Sequence, residues 1–85
     1  MPKFRKKPIT VEAEQFTDPG RPPRGVETLM FENPDGTQHP AFYVTTATGQ
    51  RVQIYPGEWV VAEMLVADRY YPVRAEDFAA TYDPV

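Results

Sequence analysis

The chain has 85 residues with no Cys, no Ser and a single His, and its net charge is −3. These facts exclude disulfides, thiolate metal sites, a two-His metal pair and a Ser/His/Asp triad. The acidic balance argues against a nucleic-acid polymer as partner.

A chain this short makes one domain, 1–85, and buries only about 60% of its unfolded surface. No apolar run approaches the roughly 20 residues of a membrane span, and the start lacks the apolar core of a signal peptide. A cytosolic protein is expected. Lys3, Arg5, Lys6 and Lys7 place four of the nine cations in the first seven residues. Such a start could meet phosphate; a solvated edge protected by Lys is the plainer reading.

In "KPITVEAEQF" apolar Ile9, Val11 and Ala13 alternate with Thr10, Glu12 and Glu14. Period two predicts a half-buried strand, ending or bulging where Gln15-Phe16 breaks the phase. Glu12 and Glu14 share one face, where two carboxylates could hold a cation or work as an acid–base pair. A solvated outer face opposite Ile9 and Val11 is the plainer reading. "TDPGRPPRG" (17–25) reads as a stiff loop with too few apolar residues to join the core. Its Arg21 and Arg24 are candidate anion contacts, although the prolines remove the amides that would cradle a phosphate.

Residues 27–32 and 37–46 are predicted to form a hairpin around Asn33-Pro34-Asp35-Gly36, with His39 exposed just past the turn. "AFYVTTATGQRVQIY" predicts a second hairpin turning at Thr48-Gly49-Gln50, with Phe42 and Val44 on one face and Tyr43 and Thr45 on the other. Tyr55-Pro56-Gly57-Glu58 fits a type II turn, with Pro second and Gly third. It is expected to close strand 51–55 against strand 59–63, with Trp59, the only Trp, capping one end of the core. A further strand is expected at 69–73, after a turn near Ala67-Asp68. "RAEDFAATY" suits one or two helical turns, with Glu76 and Asp77 at the start and Phe78 and Tyr82 on one face.

The sum is a mainly β chain of about five to six hairpin-connected strands with a short C-terminal helix, arranged as a small antiparallel barrel or rolled sheet. The cluster that suggests binding is aromatic and guanidinium: Tyr43, Arg51, Tyr55 and Trp59, then Arg69, Tyr70 and Tyr71, on or beside neighbouring strands. Aromatic faces stack bases and Arg clamps phosphate, but aromatic cross-strand pairs also occur in any small β domain.

The two ends resemble a group of small phage and prophage proteins. "FRKKPITVEAEQF" is similar to that group's opening "YRKKPVVVEAxQ". "PGEWVV" with "YYPVRAEDFAATYDPV" is similar to its "PGDWI" followed by "FYPxKPDIFEATYEPV". The resemblance covers a little under half the chain and leaves about 17–50 unmatched. It departs at 60–69, which is longer here, and at Ala75, where the group tends to have Pro. It implies a phage or prophage origin, a bacterial cytoplasmic setting and a compact accessory protein, with no activity to carry over. Small phage proteins of this kind often act by binding, either blocking a host enzyme or sequestering a nucleotide signal of antiviral defence.

The expectation is therefore a non-enzymatic binding protein without cofactor, assembled as a homo-oligomer. In its sharper form it holds a small nucleotide-type ligand. Arg51, Arg69 and the Lys3–Lys7 stretch, Arg5 and Lys7 included, would meet phosphates, while Tyr43, Tyr55, Tyr70 and Trp59 would stack the base. The alternative is a protein–protein interaction module acting on a host or phage protein. A phosphodiester-cleaving enzyme using Glu12, Glu14 and His39 is the third reading.

Overall fold

The computed structural model describes residues 1–5 and 9–84. Six strands and one helix follow in chain order: β1 (Ala13–Gln15), β2 (Glu27–Glu32), β3 (Gln38–Thr45), β4 (Arg51–Ile54), β5 (Trp59–Ala62), β6 (Tyr70–Val73) and α1 (Ala75–Thr81). They build two three-stranded antiparallel sheets, ordered β1-β5-β6 and β2-β3-β4. The sheets do not close into a barrel; they roll against each other where β6 packs on β3 and β4.

The β2-β3-β4 sheet is a meander of two hairpins, as the turn residues predict. Gly36 (φ +87°) and Gly49 (φ +86°) supply the left-handed positions. In the first turn the Thr37 hydroxyl and then its amide N–H hold the Asp35 carboxyl below its ordinary range. The period-two pattern sorts the faces: Phe42, Val44 and Ile54 are buried, while Tyr43 and Thr45 point the other way. β4 pairs only with 42–45, so the β2–β3 hairpin runs on beyond it with Met30, Phe31 and His39 exposed. His39 makes an exposed 2.6 Å hydrogen bond through Nδ1 to Asn33 Oδ1 and stacks on Phe31.

The expected pairing of 51–55 with 59–63 is not what the chain does. The Tyr55–Glu58 turn, with Gly57 at φ +97°, is a corner that carries the chain from one sheet to the other. Both edges of β5 are already taken: β1 pairs on one side and β6 on the other. The corner is pinned by Phe16, whose carbonyl accepts from Gly57 N–H at 2.6 Å and whose N–H donates to the Glu58 carbonyl at 2.8 Å. Phe16 is fully buried and meets Phe42 edge to face at 4.8 Å. With Val44, Ile54 and Val60 these rings form the core between the sheets. Burying each such side chain contributes about 1.5–3 kcal/mol.

Two further expectations are corrected. The first strand covers only Ala13–Gln15, not 9–14. β5 ends at Ala62, whose N–H donates to the Glu12 carbonyl, so residues 9–11 find no ladder partner there. The Pro-rich loop does contribute to the interior, since Pro23 is buried and its carbonyl accepts from Val26 N–H. Gly25 (φ +94°) lets this loop lie on the Tyr70 ring; a Cβ there would fall 2.5 Å from two ring carbons.

β5 is buried on both faces, with Val60 turned toward the other sheet and Val61 toward the opposite side. Trp59, Val61, Tyr71 and Val73 share that second face by register. Helix α1, predicted for this segment, lies on it through Phe78 on Trp59 and Tyr82 on Tyr71. Arg74 binds Glu76 at 2.9 Å; the backbone amide of Glu76 and then this Arg hold the carboxyl below its usual range. Among the described residues no helix is long and apolar enough to cross a membrane.

Candidate functional site

The face under α1 carries a wide concavity. Trp59 at the start of β5 lies flat on Phe78 of α1, with centroids 4.0 Å apart and planes 4° from parallel. Phe78 in turn stacks on Tyr82, one helical turn on, at 4.8 Å. The Tyr82 and Tyr71 hydroxyls lie 3.2 Å apart. Partial burial, and then the Tyr82 hydroxyl, push the Tyr71 phenol up to about 12. This ladder forms one wall of a groove of about 770 Å³, whose other wall is the extended segment with Ile9 and Val11. The lining is mostly apolar, with Thr10, Thr81 and Asp83 as its polar fringe. A cavity of this size, aromatic-lined with few polar groups, has the make-up of a binding site for an apolar group.

A second, shallower cleft of about 340 Å³ lies on the other face of β5. Arg24, Arg69 and Tyr70 meet Glu12, Glu14 and Glu63 there. Asp68, in a left-handed conformation (φ 58°), sits 4.0 Å from Arg24, and its carbonyl accepts from Arg69 at 3.3 Å. With four carboxylates against two guanidiniums, the cleft is net negative. Among the described residues no group of three or more His, Asp or Glu is placed to hold a metal ion.

The residues singled out in the sequence do not share one concavity. Arg69 and Tyr70 come together in the smaller cleft, joined by Arg24. Tyr43 and Arg51 lie on the outer face of the β2-β3-β4 sheet, where Arg51 reaches across β3 to Glu27 at 3.0 Å. Tyr55 stands at the corner turn, 55% exposed. Trp59 is in the aromatic groove, stacked on the helix rather than capping the inter-sheet core. Arg5 is exposed in the segment 1–5, and Lys7 lies outside the described residues. Tyr70 and Tyr71 are neighbours in sequence but turn to opposite faces of β6, one to the core and Gly25, the other to α1.

Of the groove's lining only Trp59 was singled out as a site residue; Ile9, Val11, Phe78 and Tyr82 were not. Ile9 and Val11 read as strand core, and Phe78 with Tyr82 as a helix face. The available signal was that the helix is seven residues long and presents two aromatic rings on one side, more apolar surface than so short an element needs for itself.

No family model, no curated protein and no solved structure matches this chain.

Proposed function

We propose that the protein is a non-catalytic binding module whose working surface is the groove between Ile9, Val11 and the Trp59–Phe78–Tyr82 ladder. The groove itself carries this reading: it is open, mostly apolar and walled on one side by stacked rings. It suits an aromatic or branched aliphatic side chain presented by a protein, with the polar fringe available to that protein's backbone. The absence of Ser and Cys, and a lone His engaged with Asn33 on an exposed hairpin, support binding rather than bond-making. On the resemblance of both chain ends to small phage and prophage proteins, the partner proposed is a protein of a phage or its bacterial host. Titration with phenyl and isobutyl fragments, followed by NMR, tests the site. The Trp59 indole N–H and the methyls of Ile9 and Val11 should shift together. Shifts spread evenly over the surface, or none, would remove it.

A second reading is kept by the smaller cleft, where Arg24, Arg69 and Tyr70 converge. It fits a nucleotide-derived defence signal, held by the guanidiniums at phosphate and by the carboxylates at ribose or amine donors. Its net negative charge favours a ligand with one phosphate over a cyclic dinucleotide. Calorimetry against nucleoside monophosphates, cyclic dinucleotides and ADP-ribose derivatives separates these. Binding abolished by Arg69→Ala supports sequestration, and no heat at high micromolar concentration ends it.

A further inference from the structure

The groove is open, and the same chain carries a segment with the chemistry to fill it. We propose that its occupant is residues 1–5 of a second copy of this chain, with Phe4 seated on the aromatic wall. This rests on the groove being a binding surface, and it names the partner.

Three observations carry it. Phe4 is 92% exposed and Met1 fully so, in a stretch with no regular secondary structure. Large apolar side chains left this open mark an interaction surface when they sit together. The second observation is charge. Phe4 is flanked by Lys3 and Arg5, whereas α1 and the residues after it carry Asp77 and Asp83, neither in an ion pair among the described residues, and α1 has no basic residue in its last turn. The third is continuity. Ile9, a few residues on in the chain, forms the groove's own rim and is itself 51% exposed. The five chain steps from Phe4 to Ile9 can span at most about 18 Å, enough to cross a seam between two molecules whose grooves face each other.

A twofold axis satisfies both copies at once: each arm enters the other's groove, and both exposed Ile9 side chains are covered at the seam. Exchange of an identical element between protomers is a low-cost route to such dimers. Seating Phe4 supplies the apolar anchor, and Lys3 and Arg5 flank it at a polar fringe whose one acid is Asp83, the arrangement of a buried centre with a polar rim.

The experiment is sedimentation velocity on the full chain over a dilution series, with Phe4→Ala and a Lys3→Glu/Arg5→Glu variant beside it. These residues are exposed in the single copy, so the variants keep the far-UV spectrum. The wild-type chain should dimerise at micromolar concentration, and Phe4→Ala should weaken it at least about 100-fold, two anchors being lost per dimer. The charge-reversed variant should weaken it too, and more so at low salt. Phe4→Ala, its groove vacated, should bind a phenyl fragment at Trp59 more tightly than wild type. A wild-type chain that stays monomeric at several hundred micromolar overturns the inference. So does a dimer indifferent to Phe4→Ala, or a Trp59 emission change on Phe4→Ala without a change in mass, which would mean the arm closes its own groove. Monomer with fragment binding at Trp59 leaves the groove as a binding surface for another protein; monomer without it removes both.

Discussion

Phe78 lies parallel to Trp59 at 4.0 Å and so fastens α1 to the sheet by a single ring-on-ring contact. α1 has seven residues and no side-chain N-cap hydrogen bond, too few for a helix to persist alone in water. Its position therefore depends on this stack and on Tyr82. Phe78→Ala should release the helix, shift the emission of the only Trp to the red, and lower stability by about 2–3 kcal/mol. Fluorescence-detected urea unfolding measures both. Unchanged emission would show that Trp59 is held by something else.

Two glycines with left-handed backbones separate strain from collision. At Gly57 (φ +97°) a Cβ meets nothing within 4 Å, so Gly57→Ala should cost only about 1–2 kcal/mol of conformational strain. At Gly25 the same Cβ strikes the Tyr70 ring at 2.5 Å, so Gly25→Ala should cost about 2–3 kcal/mol more as the loop or the ring gives way. Thermal unfolding of the pair decides it. Equal losses would mean that the loop shifts freely off Tyr70.

Tyr71 gives the fold an alkaline limit. Its phenol pKa is raised from 10.0 to about 12 by burial and by the Tyr82 hydroxyl. A raised folded value means that its contribution is fully present below pH 10 and is lost as pH climbs toward 12. Stability should therefore fall between those values, and absorbance near 295 nm should show one late-titrating phenol. Tyr71→Phe should remove that step and flatten the decline. A Tyr71→Phe curve with the same slope would place the sensitivity elsewhere.

Arg51 and Glu27 tie the two outer strands of the meander across β3 at 3.0 Å, with 56% and 44% of their side chains exposed. Such a pair is worth at most about 1 kcal/mol. Arg51→Ala should lower stability by less than that in dilute buffer and by less still in 0.5 M salt, where screening within about 5 Å weakens the wild-type pair. A loss beyond ~2 kcal/mol would reveal packing by the Arg stem instead.

How far the fold could be read depended on how local each cause was. Asn33-Pro34-Asp35-Gly36 sets its hairpin by its own backbone preferences, and the 27–45 pairing followed. Phe78 and Tyr82 share a face because they are four apart on a helix. Tyr55-Pro56-Gly57-Glu58 was harder. The same turn residues serve whether the flanking strands pair with each other or part company, and here β1, far back in the chain, occupies the edge that β4 would need. Ile9 and Val11 alternate as a strand would, but a strand needs a partner, and β5 ends before reaching them. The site was hidden for a related reason. Aromatic and Arg residues on adjacent strands say nothing about which face each one occupies, and Tyr70 and Tyr71 go to opposite ones. The Trp59–Phe78 stack joins residues whose partnership no short window contains.

The double tie between Phe16 and the Gly57–Glu58 peptide also imposes an order of events during synthesis. The meander from β2 to β4 can condense as soon as it leaves the ribosome, since its contacts are near neighbours. The stretch that precedes it can lay the Phe16 ring on Phe42, but the backbone of Phe16 has no partner until residues 57–58 have emerged. The segment around Phe16 is thus locked only when the corner that opens the second sheet has been made.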